Sequence, residues 1–139
     1  MPSSSTNIED IELQTHLANC ALRMSNIERF TDGSGYACTL AVKSGEFSCT
    51  RRFYFDDRYL ANAIDALRTM NQGVPGEATL RGHWDEDEVK LAMNRLGHVV
   101  VSGQLFEHSE LSQSLKFAFR TDQTVLGPFL HELAAIRGA

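Results

Sequence analysis

Between Glu77 and Arg120 apolar and polar residues alternate through four successive runs, and the runs agree on where the turns must fall. A three-residue turn at Arg95, Leu96 and Gly97, with the glycine in the left-handed conformation such loops require, sets Met93 against Val99, Leu91 against Val101 and Val89 against Gly103. Every apolar residue then falls on one side. Continued through a wider loop at His108 to Gln113, that side sets Leu105 against Leu115, Gly103 against Phe117 and Val101 against Phe119. Backwards across Asp85 to Glu88 it sets Trp84 against Val89, Gly82 against Leu91 and Leu80 against Met93. A one-residue slip at any turn would rotate a whole apolar row into water. The pattern therefore predicts a four-stranded antiparallel meander.

Earlier in the chain the alternation is shorter. Ile11, Leu13, Thr15 and Leu17 alternate as in a short strand, although Ile8, Ile11 and the acidic Glu9, Asp10 and Glu12 would also suit the opening of a helix. Cys20 to Ile27 reads as a strand. The run Thr31 to Gly35 is loop chemistry. Tyr36 to Val42 and Phe47 to Phe55 form a hairpin about Ser44-Gly45, which pairs Val42 with Phe47, Leu40 with Cys49, Cys38 with Arg51 and Tyr36 with Phe53. Cys38 and Cys49 become diagonal neighbours on the apolar face. Arg51 interrupts that face, so it either lies at the sheet's edge with its stem over Cys38 or pairs with a carboxylate.

Two helical stripes complete the pattern. Asp56 or Asp57 caps the first, in which Leu60, Ala63, Ile64, Leu67 and Met70 recur at helical spacing before Gly73 and Pro75 end it. The second carries Leu126, Phe129, Leu130, Leu133 and Ile136, is capped by Asp122 or Thr124, and must hold Pro128 in its first turn or kink there. Amphipathic helices and one-faced strands together predict an α+β fold: a curved antiparallel sheet of about six or seven strands, with both helices on one face. Residues 1–7 are expected to be a disordered lead and residues 8–139 a single domain.

Composition changes this picture little. The chain has 139 residues, 42% hydrophobic and 22% charged, which suits one soluble globule. A net charge of −5 disfavours nucleic acid and anionic membranes and favours a basic protein partner. Three scattered cysteines make no disulfide framework and no zinc knuckle, and with no secretory signal at the N-terminus the expected location is the cytoplasm.

Candidate chemistry is sparse. His131-Glu132 begins like a zinc-protease helix, but Ala135 stands where the second histidine would be needed. No nucleophile elbow or phosphate loop occurs, so no catalytic residue, metal site or cofactor is expected. The most unusual feature is the run Asp85, Glu86, Asp87 and Glu88, four carboxylates in one hairpin loop. Consecutive acids cannot all turn inward around a calcium ion. They can instead keep the hairpin tip solvated, or steer a basic partner towards the adjoining polar sheet face of Arg81, His83 and Lys90, which also carries Gln104, Lys116 and Arg120.

The order of pieces resembles a known family. Tyr54-Phe55-Asp56-Asp57 before a helix, then GEATLRGHW, EVKLAMN, GHVVVSGQL with Gly97 and Gly103, LKFAF, and Thr121-Asp122-Gln123-Thr124 before Leu126 are similar to the small bacterial WapI-type immunity proteins, over Leu22 to Ile136. The resemblance implies a non-catalytic protein that neutralises a cognate toxin domain by binding it; apart from the resemblance, the chain is expected to be a monomer or weak homodimer. The resemblance supplies no active-site residue. The competing expectation, from the residues alone, is a small-ligand or enzymatic pocket between the sheet and the helices.

Overall fold

Asp56 ends the first run of strands: its backbone is extended, its carboxylate accepts the Tyr59 N–H at 2.7 Å, and the chain turns there into a helix. The computed structural model describes residues 8–82, 87–107 and 111–138, so the expected lead over residues 1–7 lies outside the described residues. Four strands precede the helix, β1 (Ile11–Leu13), β2 (Cys20–Arg29), β3 (Gly35–Ser44) and β4 (Phe47–Asp56). The helix α1 (Asp57–Asn71) is followed by β5 (Gly76–Arg81), β6 (Glu88–Met93), β7 (His98–Glu107), β8 (Gln113–Asp122), a 3-10 turn at Gln123–Val125 and α2 (Leu126–Gly138).

The class is α+β, but the single sheet of six or seven strands is not formed. Two antiparallel sheets of four strands take its place, ordered β1-β2-β3-β4 and β5-β6-β7-β8. The helix between them is the physical cause. From Gly73 (φ 95°) the chain doubles back so that β5 lies along α1 instead of beside β4. Alternation reports which face of a strand is apolar; it is silent on which neighbour the edge meets.

Within the sheets the predicted pairing holds where the loop lengths were right. β6, β7 and β8 pair in the expected register, Val89 with Gly103 and Gly103 with Phe117, around Gly97 at φ 79°. β5 is displaced by four residues: Leu80 faces Val89 and Ala78 faces Leu91. The loop from Gly82 to Asp87 is longer than the four-residue loop expected, and the Gly82 N–H closes it on the Asp87 carbonyl at 2.8 Å. In the first hairpin the turn is Gly45-Glu46, with Gly45 at φ 66° in the first central position, as a type II′ turn demands. Its pairs move by two, so that Val42 faces Cys49, Leu40 faces Arg51 and Cys38 faces Phe53. Cys38 and Cys49 are therefore not diagonal neighbours. Both displacements are even, so neither changes the face a residue occupies.

Both sheets and both helices feed one core. Leu22, Met24, Leu40 and Phe53 from the first sheet, Ala63 and Leu67 from α1, Leu80, Val89 and Leu91 from the second sheet, and Phe129 and Leu133 from α2 line a cavity of only about 20 Å³. That is the size of one water molecule. α2 is stitched on at its margins. Arg137 grips Asp57 with two contacts of 3.0 Å, the Tyr36 hydroxyl donates to Asp57 at 2.8 Å, and Glu132 accepts the Glu12 N–H of β1 at 3.1 Å. No helix in the described residues is long and apolar enough to cross a membrane.

Candidate functional site

The register of the second sheet arranges its outer face in rows. Arg81, Glu88, Gln104 and Lys116 stand side by side, then Thr79, Lys90, Ser102 and Ala118, then Glu77, Ala92, Val100 and Arg120. Arg81 lies 3.1 Å from Glu88 and Lys90 lies 3.8 Å from Glu77, with all four side chains more than a third exposed. Such pairs contribute little to stability, so these side chains can exchange one partner for another at small cost. Val100, 39% exposed, places an apolar contact among them. Among the described residues the structure thus brings Arg81 and Lys90 onto one surface, as expected, and adds Glu88, which belongs to β6 and not to the loop; His83, Asp85 and Glu86 lie outside the described residues.

Asp87 does not belong to that surface. Only 1% exposed, it sits on the same parity as Val89, Leu91 and Met93, and its side chain therefore enters the interior with theirs. Oδ1 accepts the Phe106 N–H of β7 at 2.8 Å, at the end of the β6–β7 ladder, whose outermost described pair is Glu88 with Gln104. Oδ2 lies 2.8 Å from Nε of Arg51, the one inner-face charge of β4. Of the two placements open to Arg51, the structure selects the carboxylate. The picture of four solvated acids in one exposed turn is corrected accordingly: Asp87 is an internal tie between the two sheets, and Glu88 is engaged with Arg81.

Beyond this pair the sheets diverge. Ser48, Cys49, Thr50 and Arg51 of β4 face Leu105, Phe106 and Glu107 of β7 and Gln113, Ser114 and Leu115 of β8 across an open groove of about 310 Å³. Phe47, 68% exposed, begins the strand that forms one wall. The Cys49 thiol in the groove is pushed up in pKa, by burial first and by Asp87 and Glu107 next, against the pull of Arg51. It is a poor nucleophile in that setting. Cys38, inside the first sheet, is pushed up to about 12 by burial.

Asp122, His16 and Glu132 do structural work. Asp122 caps the 3-10 turn through the Thr124 N–H at 2.9 Å and meets His16 at 3.1 Å. Glu132 holds β1, and its neighbour His131 has no second histidine on the same helix face. Among the described residues no group of three or more His, Cys, Asp or Glu side chains is placed to hold a metal ion. What the arrangement offers is a rigid, mixed-charge sheet face and a groove beside it, both fit for contact with another protein.

Burial of Asp87 was the feature that sequence reasoning missed, and a signal for it was present. A lone arginine in an apolar row needs a carboxylate, and Asp87 is the one acid of the loop whose parity continues the apolar row of β6.

No curated protein and no solved structure matches the chain. The model of the immunity protein WapI-like family matches residues 12–138, from the middle of β1 to the end of α2 and so through both sheets and both helices. A match over nearly the whole fold, covering the strands, caps and glycines described above, makes the chain a member of the WapI-like immunity protein family.

Proposed function

We propose that the protein is a non-catalytic immunity protein that neutralises a cognate bacterial toxin by binding a domain of it directly. Membership of the family is the observation that carries this reading. Two features of the structure support it. The space between the sheets and helices is apolar and about 20 Å³, far below the roughly 300 Å³ at which small-molecule pockets begin, so it offers no room for a ligand or substrate. The outer face of the second sheet presents Arg81, Glu88 and Lys90 as exchangeable charges, and on this reading His83, Asp85 and Glu86, of the segment that joins β5 to β6, take part in the same contact. Asp87 backs that face from inside. The same reading has the protein in the cytoplasm, as a monomer or weak homodimer, with neither nucleic acid nor membrane as its partner.

The test is co-purification of the protein with the variable C-terminal toxin domain encoded beside it. A stable complex that abolishes the toxin's activity is expected; a toxin domain that neither binds nor is inhibited overturns the reading. The surface is tested separately by association kinetics of the Asp85→Asn/Glu86→Gln variant at two salt concentrations. Slower association with a flatter salt dependence is expected, since steering charges act chiefly on the on-rate. Unchanged rates at both salts would remove the loop from the interface.

A further inference from the structure

Each of the two sheets has two edge strands, and among the described residues the fold guards three of those four edges. β1 is three residues long, and Glu132 of α2 takes its Glu12 N–H at 3.1 Å. β5 lies along α1. β8 carries the exposed charges of Lys116 and Arg120, and the Ser44 hydroxyl of β3 donates to its Ala118 carbonyl at 3.3 Å. Short strands, covering helices and charged side chains are the means by which proteins keep a sheet edge from pairing with another chain. The first half of β4 has none of them. Phe47 to Thr50 holds no charge, proline or glycine, and its pairing with β3 runs without a bulge.

The turn fixes which way this stretch aims its backbone. Ser44 and Phe47 are the closing pair of a two-residue turn and turn their N–H and C=O groups towards each other, so Cys49, two residues on, also bonds to β3. The N–H and C=O groups of Ser48 and Thr50 therefore face away from the sheet. Both residues are exposed, and no described backbone group outside the ladder bonds to either. They open on the groove of about 310 Å³ between β4 and the β7–β8 hairpin, which Ser48, Cys49, Thr50 and Arg51 all line. Successive residues of a strand point to opposite faces, so a groove that touches all four runs along the strand's edge. Its charge is one-sided: Arg51 is engaged with Asp87 at 2.8 Å, which leaves Glu107, held by the Gln113 amide at 3.2 Å, as the net charge of the lining. The groove also continues the outer face of the second sheet, since Phe106 and Ser114 in its wall form the next row after Gln104 and Lys116.

We propose that the edge of β4 takes up an extended segment of the toxin as an added strand, hydrogen-bonded to Ser48 and Thr50 and carrying a basic side chain opposite Glu107. Only another backbone in extended form supplies donors and acceptors at the two-residue repeat this edge presents. The continuity of the groove with the outer face lets one partner cover both. This inference rests on the function proposed above and adds to it where, and in what conformation, the partner is held.

The test is amide hydrogen exchange of the isotope-labelled full chain, read residue by residue by NMR, free and in complex with the toxin domain used for co-purification. In the free chain Phe47 and Cys49 should exchange slowly and Ser48 and Thr50 fast. On binding, Ser48 and Thr50 should slow by about tenfold or more, an alternating pattern that an added strand produces and simple covering does not. Thr50→Pro removes one outward N–H and spares the ladder, so it should raise the Kd about tenfold at an unchanged urea midpoint. If that variant does not fold, the exchange pattern of the wild-type complex decides alone. Glu107→Gln should weaken the complex more at low salt than at high salt, and an equal effect at both overturns the basic side chain. A complex in which Ser48 and Thr50 exchange as fast as in the free chain overturns the added strand and leaves the proposed function standing. Protection that appears in the free chain as its concentration rises would mean that a second copy pairs there, which overturns the toxin segment as the occupant. A toxin domain that does not bind overturns both readings.

Discussion

Asp87 places a charge where the alternation of β6 reserves room for apolar side chains, and its surroundings explain why the fold tolerates it. One oxygen takes a backbone N–H from β7 and the other faces an arginine from the opposite sheet, so the carboxylate is compensated on two sides. Removing one member of such a pair strands the other charge. Asp87→Ala should therefore lower unfolding stability by about 3–5 kcal/mol, while the Arg51→Met/Asp87→Leu double variant should recover most of that loss. Urea midpoints of the single and double variants form the measurement; a loss from Asp87→Ala no larger than that from a surface carboxylate would mean the pair does not tie the sheets. Phe117 and Gly103 make a second residue-scale pair. The Phe117 ring occupies the space over Gly103, where a Cβ would lie 2.9 Å from it and 2.2 Å from the Glu88 carbonyl oxygen. Phe117→Ala should cost about 3–5 kcal/mol, as for other buried aromatics. An unchanged denaturation midpoint would contradict the packing. The complementarity of Phe117 and Gly103 was legible from alternation alone, because both lie on strands joined by correctly placed turns. Asp87 was read as one of four equivalent acids because its charge was weighed and its parity was not.

At the scale of elements, the stripes of both helices, the Asp56 cap and the register of β6, β7 and β8 were all readable, since each depends on neighbours a few residues away. The displaced pairings trace to single loop residues: Gly45 opens its turn instead of closing it, and Gly82 joins the loop instead of the strand. The clamp on α2 was not readable, because Tyr36, Asp57 and Arg137 are brought together from a strand and two helices. It gives the element a characteristic pH dependence. The Asp57 carboxyl is held below its ordinary value of 3.8 by the hydrogen bonds from Arg137 and then Tyr36. A depressed carboxyl adds stability above its unfolded pKa and loses it as pH falls through the folded value, so this contribution fades below about pH 4. The Tyr36 hydroxyl is raised above 10, by burial first and then by Asp57. Its contribution is complete below pH 10 and is lost as the pH rises through the folded value. Stability measured against pH should accordingly fall more gently in acid for Asp57→Asn than for the wild type. Parallel acid limbs for the two proteins would show that the clamp carries no linkage.

For the molecule as a whole, the error of one sheet for two has a definite origin. Alternation fixes faces, and both sheets turn their apolar faces to the same interior, so their strands look alike in sequence. Division into two sheets depends on α1, which occupies the side of β5 along which the sheet would have had to continue. The candidate surface was legible to the same extent: Arg81 and Lys90 share a face as parity demanded, while Glu88, expected in the loop, joins them from β6, and the groove between β4 and the β7–β8 hairpin depends on tertiary placement. Two sheets could in principle unfold separately, and the core decides that they do not. The buried cluster passes without a break from β2 and β3 through α1 and α2 into β5, β6 and β8, and the Arg51–Asp87 pair joins the sheets where that cluster ends. Neither sheet keeps a covered apolar face once the other leaves. Urea unfolding followed by backbone circular dichroism, by NMR signals of Tyr54 in the first sheet and by NMR signals of Phe117 in the second should therefore give coincident transitions with one midpoint. Removal of the inter-sheet pair in Asp87→Ala should lower that midpoint for all three probes together. Probes that separate in the wild type, with the second sheet outlasting the first, would show that each sheet carries a core of its own.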